Sequence, residues 1–230
     1  MQLQLTLDHG KRLEVLKMAD IMDGHVDILE IGYPELITFG LDVVREIHEA
    51  HPDLKLCVDA KVYHGGSGVT RRCFEAGASI VTVLGSAPDP VIRQMVHHAR
   101  QCGGAIMADM DGIKRLGRRT AEVDALGVRY VSIASGYLME HEYDLHKPDH
   151  GSIFQLRPLD LAAAVKRNLL HASLAIGTGI NMGNIGDVLK LQPEIVMVGR
   201  GIYSRDDGTT CTHEEMVANA HALRHAMGAE

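Results

Sequence analysis

Residues 54–61 read Leu-Lys-Leu-Cys-Val-Asp-Ala-Lys, a short apolar run that ends in charged residues. A helix-like stretch follows at residues 69–76, and this order of apolar run and helix-like stretch occurs eight times in the 230-residue chain. Apolar strands that alternate with helices are typical of a parallel sheet covered by helices. Eight such units favour a closed barrel over an open sheet. We therefore predict an α/β protein that folds as a single (β/α)8 TIM barrel over residues 1–230.

The eight units have recognisable limits in the sequence. The predicted strands cover residues 3–7, 26–31, 54–58, 79–84, 105–108, 130–133, 173–176 and 195–198. The helix-like stretches cover residues 13–21, 41–50, 69–76, 91–100, 116–126, 159–169, 185–191 and 214–227. Gly77 and Gly127 each follow a helix-like stretch and precede a strand, as expected where a helix ends. The longest irregular stretch, residues 135–158, is predicted to be a lid or a binding loop.

The composition argues against several classes of partner. The chain has 23 Lys and Arg against 30 Asp and Glu, so its formal net charge is −7. Non-specific binding to nucleic acids or to anionic membranes needs clustered positive charge, so we expect neither partner. The sequence contains no run of roughly 18 apolar residues, as a transmembrane helix would need, and its first residues lack the layout of a signal peptide. Its four cysteines show no Cys-x-x-Cys spacing, which favours a reducing, cytoplasmic setting.

Polar residues and glycines gather where the predicted strands end. In a (β/α)8 barrel the chemistry takes place at this carboxyl end, on the loops that follow the strands. The candidates there are Asp8, Glu30, Asp59, Lys61, Asp109, Gly177, Gly179, Gly199, Arg200 and Gly201. Four carboxylates and a lysine at one barrel mouth are costly unless they are paired or bound to a metal ion.

Asp59-Ala60-Lys61 is the most specific of these motifs. The strand period of two places Asp59 and Lys61 on the same face. A lysine beside a carboxylate inside a barrel stays protonated and can stabilise an oxyanion or move a proton. A purely structural ion pair is the alternative. Glu30 and Asp59 lie on adjacent strand ends and predict a Mg²⁺ site, because Mg²⁺ prefers oxygen ligands; the alternative is that one of them only pairs with Lys61.

Gly177-Thr178-Gly179 and Gly199-Arg200-Gly201 follow the last two strands and predict a phosphate site. The loops after strands seven and eight often bind phosphate in this architecture, glycines expose backbone N–H groups, and Arg200 adds a bidentate clamp. Plain turn glycines are the alternative. A dinucleotide fingerprint is disfavoured because Gly183 falls one residue too late. In the long loop, His141, His146 and His150 match no zinc spacing, so a solvated loop is favoured there over a transition-metal site.

Together these residues resemble the orotidine-monophosphate decarboxylase superfamily, and within it the group of 3-hexulose-6-phosphate synthases and 3-keto-L-gulonate-6-phosphate decarboxylases. The similarity runs nearly end to end. It is carried by residues 5–8 (Leu-Thr-Leu-Asp), 26–32 (Val-Asp-Ile-Leu-Glu-Ile-Gly), 81–85 (Val-Thr-Val-Leu-Gly), 122–127 (Glu-Val-Asp-Ala-Leu-Gly) and 198–203 (Val-Gly-Arg-Gly-Ile-Tyr). The resemblance implies a Mg²⁺-dependent barrel that works as a homodimer on a phosphorylated sugar.

Residue by residue, the resemblance assigns roles to the polar positions. Glu30 and Asp59 match the metal ligands, Asp8 and Lys61 match the polar pair around the reacting carbons, and Asp109 matches the acid after strand five. Gly179, Gly199 and Arg200 match the phosphate-binding residues. This sequence departs from the family at two positions: His64 replaces the acid of the Asp-x-Lys-x-x-Asp motif, and Ala134 stands where the family has a catalytic histidine. His64 or His141 are the candidates to replace the missing proton donor.

The predicted activity is that of a Mg²⁺-dependent aldehyde-lyase that acts on a phosphorylated ketose through an enediolate. Aldol addition of formaldehyde to ribulose 5-phosphate is the first expectation. Decarboxylation of a β-keto acid sugar phosphate is the second, and a diverged lyase acting on another sugar phosphate is the third. The alternative outside enzymes is a sugar-phosphate-binding protein, which has little reason to hold four carboxylates and a lysine at one mouth.

Overall fold

The computed structural model describes residues 1–8, 10–134, 158–177, 179–205 and 207–228. Within those residues, eight parallel strands close into a barrel in which each strand pairs with the next along the chain and the eighth pairs with the first. The strands are β1 (Gln2–Leu7), β2 (Ile28–Ile31), β3 (Lys55–Val62), β4 (Ile80–Leu84), β5 (Ala105–Asp109), β6 (Tyr130–Ile133), β7 (Ser173–Ile176) and β8 (Ile195–Val198). The predicted (β/α)8 barrel is confirmed.

Helices follow the strands and cover the outside of the barrel. They are α1 (Arg12–Met22), α2 (Tyr33–Phe39), α3 (Asp42–Ala50), α4 (Gly66–Glu75), α5 (Asp89–Gln101), α6 (Leu116–Ala125), α7 (Pro158–Lys166), α8 (Ile185–Leu189), α9 (Arg200–Tyr203) and α10 (His213–Ala226). The start of α10 shows how local sequence fixes these limits. Thr212 accepts a hydrogen bond from the Glu215 backbone, and the Glu215 carboxylate accepts one from the Thr212 backbone, a capping box that satisfies two amides.

The alternation of side chains along each strand divides the core into two parts. Outward-facing residues such as Leu3 and Leu5 pack with the helices in the main hydrophobic cluster. A smaller cluster fills the barrel interior and consists of Ile28, Cys57, Ile80, Met107, Tyr130, Ala175, Ile195 and Met197. Because strand side chains repeat every two residues, the next inward positions towards the carboxyl end include Glu30, Asp59 and Asp109. The barrel interior is therefore apolar towards the amino-terminal ends of the strands and polar at their carboxyl ends, the mouth of the barrel.

The predicted limits were right for most strands, but one strand limit was wrong and two helices were not predicted. β3 extends to Val62, four residues beyond the predicted end at residue 58, so Asp59 and Lys61 lie within the strand. The helical stretch predicted at residues 41–50 is preceded by a separate helix, α2, which the sequence analysis missed. The short helix α9 was also missed. Gly77 and Gly127 do end their helices, with φ of 101° and 88°, a backbone conformation that favours glycine.

The described helices form the outer layer of the barrel. In the described part of the chain, no helix has both the length and the apolar character needed to cross a bilayer. The predicted lid, residues 135–158, lies outside the described residues apart from its last position, and so do the three loop histidines His141, His146 and His150.

Candidate active site at the barrel mouth

Five charged side chains meet at the carboxyl end of the strands, as the sequence analysis predicted. Glu30 comes from β2, Asp59 and Lys61 from β3, Asp109 from the end of β5, and Asp8 from the residue after β1. Glu30, Asp59 and Asp109 are almost fully buried. The barrel closure brings together residues that are far apart in sequence, because parallel strands all end at the same rim.

Lys61 lies between two carboxylates. Its Nζ is 2.7 Å from Oδ2 of Asp109 and 3.3 Å from Oδ2 of Asp59. Burial disfavours the charged ammonium, but the charges of Asp109 and Asp59 outweigh burial and hold the pKa of Lys61 above its usual range. Burial raises the pKa of Asp59, and the nearby Lys61 partly offsets that increase. Lys61 is therefore a fixed cation at the mouth of the barrel.

A backbone irregularity sets this geometry. The pairing of β3 with β4 shifts register between Val58 and Val62, and Lys61 has a φ of 42°, an uncommon value for a residue other than glycine. Thr82 of β4 fixes the irregular segment, since its Oγ1 accepts a hydrogen bond from the Lys61 backbone (2.9 Å) and donates one to Asp59 Oδ1 (2.8 Å). Asp59 and Lys61 thus meet through a distorted strand and not through plain alternation.

Glu30 is held by two side chains of β1. Gln4 Nε2 donates to Glu30 Oε2 at 2.5 Å, and Thr6 Oγ1 donates to the same oxygen at 3.0 Å. Burial, followed by the charges of Asp59 and Asp8, raises the pKa of Glu30 to about 8. The two hydrogen bonds favour the ionised form and limit that increase.

Asp8 lies beside Glu30 and close to the start of α2. Its position depends on Gly32, because a Cβ at residue 32 would lie 2.4 Å from Asp8 Oδ1 and 2.3 Å from the Leu7 carbonyl oxygen. Tyr203 of α9 is also nearby: burial, and then the charge of Asp8, raise the pKa of the Tyr203 hydroxyl to about 12. The tyrosine therefore stays protonated and can donate a hydrogen bond at the mouth.

The donor set at the mouth fits Mg²⁺ better than zinc. Glu30 and Asp59 are two buried carboxylates, and burial followed by the negative charge of Asp59 raises the pKa of Glu30. A bound cation would compensate both carboxylate charges. In the described ranges, no group of three or more His, Cys, Asp or Glu side chains has the placement of a metal cluster. Mg²⁺ is commonly held by one or two carboxylates together with substrate oxygens and water, whereas structural zinc needs four protein ligands.

The two glycine loops predicted to bind phosphate contact one another. Gly177 follows β7, Gly179 has a φ of 68°, and Gly199 and Arg200 lead into α9. A Cβ at Gly201 would lie 2.2 Å from the Ile180 carbonyl oxygen, so only glycine allows this close approach. Asn184 Nδ2 donates to the Gly179 carbonyl oxygen at 2.9 Å and stiffens the first loop. The Arg200 side chain is exposed at the rim, and Thr178 lies outside the described residues.

His64 is not brought into the charged cluster. It lies on the surface after β3, and its ring meets the Tyr63 ring edge-on with centroids 4.7 Å apart. No hydrogen bond or ion pair joins it to Lys61 or Asp109 in the part of the chain that the structure describes. Ala134, at the end of β6, donates its backbone N–H to Asp111 Oδ1 at 2.9 Å.

A depression of about 780 Å³ lies at the opposite, amino-terminal end of the barrel. Lys55, Arg100 and Arg129 are the cationic groups of its lining, His171 adds an imidazole, and Asp124 is its carboxylate. None of the site residues predicted from the sequence contributes to that lining. The convergence of four carboxylates and a lysine places the candidate site at the mouth instead.

The sequence analysis missed four polar residues that shape the site: Gln4, Thr6, Thr82 and Tyr203. Each of the first three stands on an inward position of a strand whose outward neighbours are apolar, as in Ile80-Val81-Thr82-Val83-Leu84. A polar side chain inside a closed barrel needs a hydrogen-bond partner, so inward polarity was the signal that could have found them. Tyr203 carried no such signal, because it belongs to an unpredicted helix.

Comparison with known proteins agrees with this architecture. A family model described as "Orotidine 5'-phosphate decarboxylase / HUMPS family" matches residues 1–213. A relative named 3-hexulose-6-phosphate synthase, from Bacillus subtilis (strain 168), is 35% identical over 207 residues, which cover 90% of this chain and 93% of the relative. Among solved structures, 3-hexulose-6-phosphate synthase from Salmonella typhimurium is 25% identical, with a TM-score of 0.82 over 99% of this chain and 98% of that one.

The second group named by the resemblance is similar in fold. The structure of 3-keto-L-gulonate-6-phosphate decarboxylase from Vibrio cholerae O1 biovar El Tor str. N16961 is 21% identical, with a TM-score of 0.78 over 99% of this chain and 97% of that one. The family match and the 35% identity are decisive. This chain belongs to the orotidine 5'-phosphate decarboxylase / HUMPS family.

Proposed function

We propose that this family member is a Mg²⁺-dependent aldehyde-lyase that adds formaldehyde to ribulose 5-phosphate. The observation that carries the proposal is the position of Lys61, a cation fixed between Asp59 and Asp109 at the barrel mouth. The relatives named 3-hexulose-6-phosphate synthase support the choice of reaction. In this reaction a proton leaves C1 of the ketose, the resulting enediolate carbon attacks the formaldehyde carbon, and a proton reaches the new alkoxide oxygen.

Glu30 and Asp59 would hold the Mg²⁺ ion. When bound, the cation supplies positive charge against the vicinal oxygens of the sugar, which favours the enediolate. The chain's own residues do the rest. Lys61 stays protonated and stabilises the negative charge that develops on the substrate oxygens, as a preorganised group does without reorganisation. Asp8 is partly exposed beside Glu30 and would accept the C1 proton as the general base.

Arg200 and the glycine loops would bind the phosphate of the sugar. The Gly177 N–H already donates to the Ile133 carbonyl oxygen at 3.2 Å, so the backbone N–H groups of Gly179 and Gly199 are the ones that would bind the phosphate. The Arg200 guanidinium would add two parallel hydrogen bonds. Binding at this remote group orients the reacting end of the sugar above Lys61. His64 remains a candidate proton donor in this proposal, supplied from the surface near the mouth or from a neighbouring subunit.

The experiment follows formaldehyde consumption in the presence of ribulose 5-phosphate, with Mg²⁺ or with EDTA, for the wild-type protein and for Lys61→Ala. We expect consumption that needs both the metal ion and Lys61. Since one preorganised group that stabilises developing negative charge contributes about 10²–10³ in kcat, the turnover of Lys61→Ala should be lower than wild type by about that factor. Equal consumption by the two proteins would overturn the assignment.

Two further assays separate the decarboxylase and the binding-protein alternatives. Release of CO₂ from a β-keto acid sugar phosphate, with no formaldehyde consumption, would identify the decarboxylase reaction, which uses a similar enediolate. A sugar-phosphate-binding protein would show neither reaction, while ribulose 5-phosphate would still raise its melting temperature. In that case Lys61→Ala would lower affinity and change no turnover.

We also propose that the protein is a homodimer in the cytoplasm. Three large side chains near the mouth are exposed, Tyr33 (44%), Ile37 (68%) and Tyr63 (44%), and such apolar surface suits an interface between copies. All four cysteines are free thiols, as expected in a reducing compartment. Light scattering on the wild-type protein and on Ile37→Lys tests the dimer: a monomeric wild-type protein would refute it.

A further inference from the structure

Gln4 is an unusual residue for its position. It is fully buried in the barrel, and its register partners on the two neighbouring strands are Ile28 and Met197, both members of the interior apolar cluster. An amide in such surroundings costs about 1–3 kcal/mol unless it is hydrogen-bonded. Its Nε2 bonds Glu30, but its Oε1 has no hydrogen-bond partner among the described residues. Stability alone therefore does not explain a glutamine here.

The hydrogen bonds to Glu30 are strongly one-sided. Gln4 and Thr6 both donate to Oε2 of the carboxylate, at 2.5 Å and 3.0 Å. No donor within the described ranges contacts Oε1 of Glu30. The terminal torsion of a glutamate rotates broadly, so without these donors the carboxylate could present either oxygen, or both. With them, Oε2 is engaged on the β1 side and Oε1 is left for another ligand.

We propose that Gln4 and Thr6 are positioning residues that turn Glu30 so that it offers a single oxygen, Oε1, to the Mg²⁺ ion. This inference rests on the proposed metal site at Glu30 and Asp59. Side chains that bond a metal-ligating carboxylate fix its orientation, and their loss typically lowers metal affinity about 10–100-fold. One-oxygen ligation also leaves more of the Mg²⁺ coordination shell for the vicinal oxygens of the sugar, because Mg²⁺ demands near-octahedral geometry.

The test measures Mg²⁺ affinity by isothermal titration calorimetry in the absence of substrate. Gln4→Leu replaces the amide with an apolar side chain of similar size in an apolar layer, so the barrel should fold. Thr6→Val removes the second donor isosterically, and Thr6→Ser restores it. Gln101→Leu is the matched control, because Gln101 is an exposed glutamine on α5 that bonds only His97 among the described residues.

We expect the Kd for Mg²⁺ to rise about 10–100-fold in Gln4→Leu, to rise less in Thr6→Val, and to stay at the wild-type value in Thr6→Ser and Gln101→Leu. Affinity for ribulose 5-phosphate measured in EDTA should not change in any of them, which a general loss of structure would not reproduce. Wild-type Mg²⁺ affinity in both Gln4→Leu and Thr6→Val would overturn this inference and leave the proposed metal site in place. A wild-type protein that binds no Mg²⁺ would overturn the metal site itself, and the inference with it.

Discussion

Glu30 should weaken the metal-free fold at neutral pH, and its replacement by glutamine should strengthen it. Burial and the charges of Asp59 and Asp8 raise the Glu30 pKa from 4.5 to about 8. Between those pH values the folded chain holds a proton that the unfolded chain releases, so stability falls as pH rises through this window. At about 1.4 kcal/mol for each pH unit, the raised pKa of Glu30 costs the fold about 3 kcal/mol at pH 7 and up to about 5 kcal/mol above pH 8.

Glu30→Gln removes this cost and keeps the shape of the side chain. Its amide oxygen can still accept from Gln4 and Thr6. For a chain of this length each kcal/mol shifts the melting temperature by about 2–4 °C. We therefore expect the variant to melt about 6–12 °C above wild type at pH 7 in EDTA, with the difference vanishing near pH 4.5.

Differential scanning calorimetry from pH 5 to pH 8 measures this difference, and Glu49→Gln, at an exposed carboxylate on α3, is the control that should leave the pH slope unchanged. Added Mg²⁺ should raise the melting temperature of the wild-type protein and leave that of Glu30→Gln unaltered, since ligand binding to the folded state stabilises it. A Glu30→Gln protein that melts at or below wild type at pH 8 in EDTA would refute the reasoning.

Three further variants test other parts of the site. Lys61→Met leaves its two buried carboxylate partners without a counter-charge. Because the lysine is about one-third exposed, solvent screening reduces the usual cost. We expect the free energy of unfolding, measured in urea at pH 7, to fall by about 2–3 kcal/mol, and this loss to shrink towards pH 5. Gly32→Ala places a Cβ against Asp8 and should cost about 1–3 kcal/mol with a fall in turnover. Gly186→Ala, inside α8 with open space around it, should instead stabilise the fold by about 0.4–1 kcal/mol and leave turnover unchanged. Arg200→Gln should raise KM for ribulose 5-phosphate about 10–100-fold, the loss of a charge-assisted hydrogen bond, and an unchanged KM would remove Arg200 from the phosphate site.

Most of the architecture could be predicted from the sequence because the hydrophobic pattern is regular. The alternation of apolar strands and helices fixed the barrel, and the barrel in turn placed Glu30, Asp59 and Asp109 at one rim. Helix α2 was missed because Gly32-Tyr33-Pro34 directly follows β2 and resembles a loop. Its start uses the proline that a first helical turn tolerates.

The details of the site were less predictable for a different reason. The irregular backbone at Lys61 depends on Thr82 of the neighbouring strand, a contact that no local pattern encodes. The convergence of Gln4 and Thr6 on one oxygen of Glu30 depends on the register of β1 with β2. Such contacts follow from tertiary pairing, so the sequence predicted which charges meet but not which neutral residues hold them.

The most direct test of the central claim is exchange of the C1 protons of ribulose 5-phosphate with D2O, followed by NMR without formaldehyde. Exchange reports enediolate formation alone and does not depend on the second substrate. The account predicts that at least one of the two C1 protons is lost from the spectrum with the wild-type protein and Mg²⁺, and that both are retained in EDTA and with Lys61→Met. A retained C1 signal with the wild-type protein, Mg²⁺ and bound ribulose 5-phosphate would contradict it.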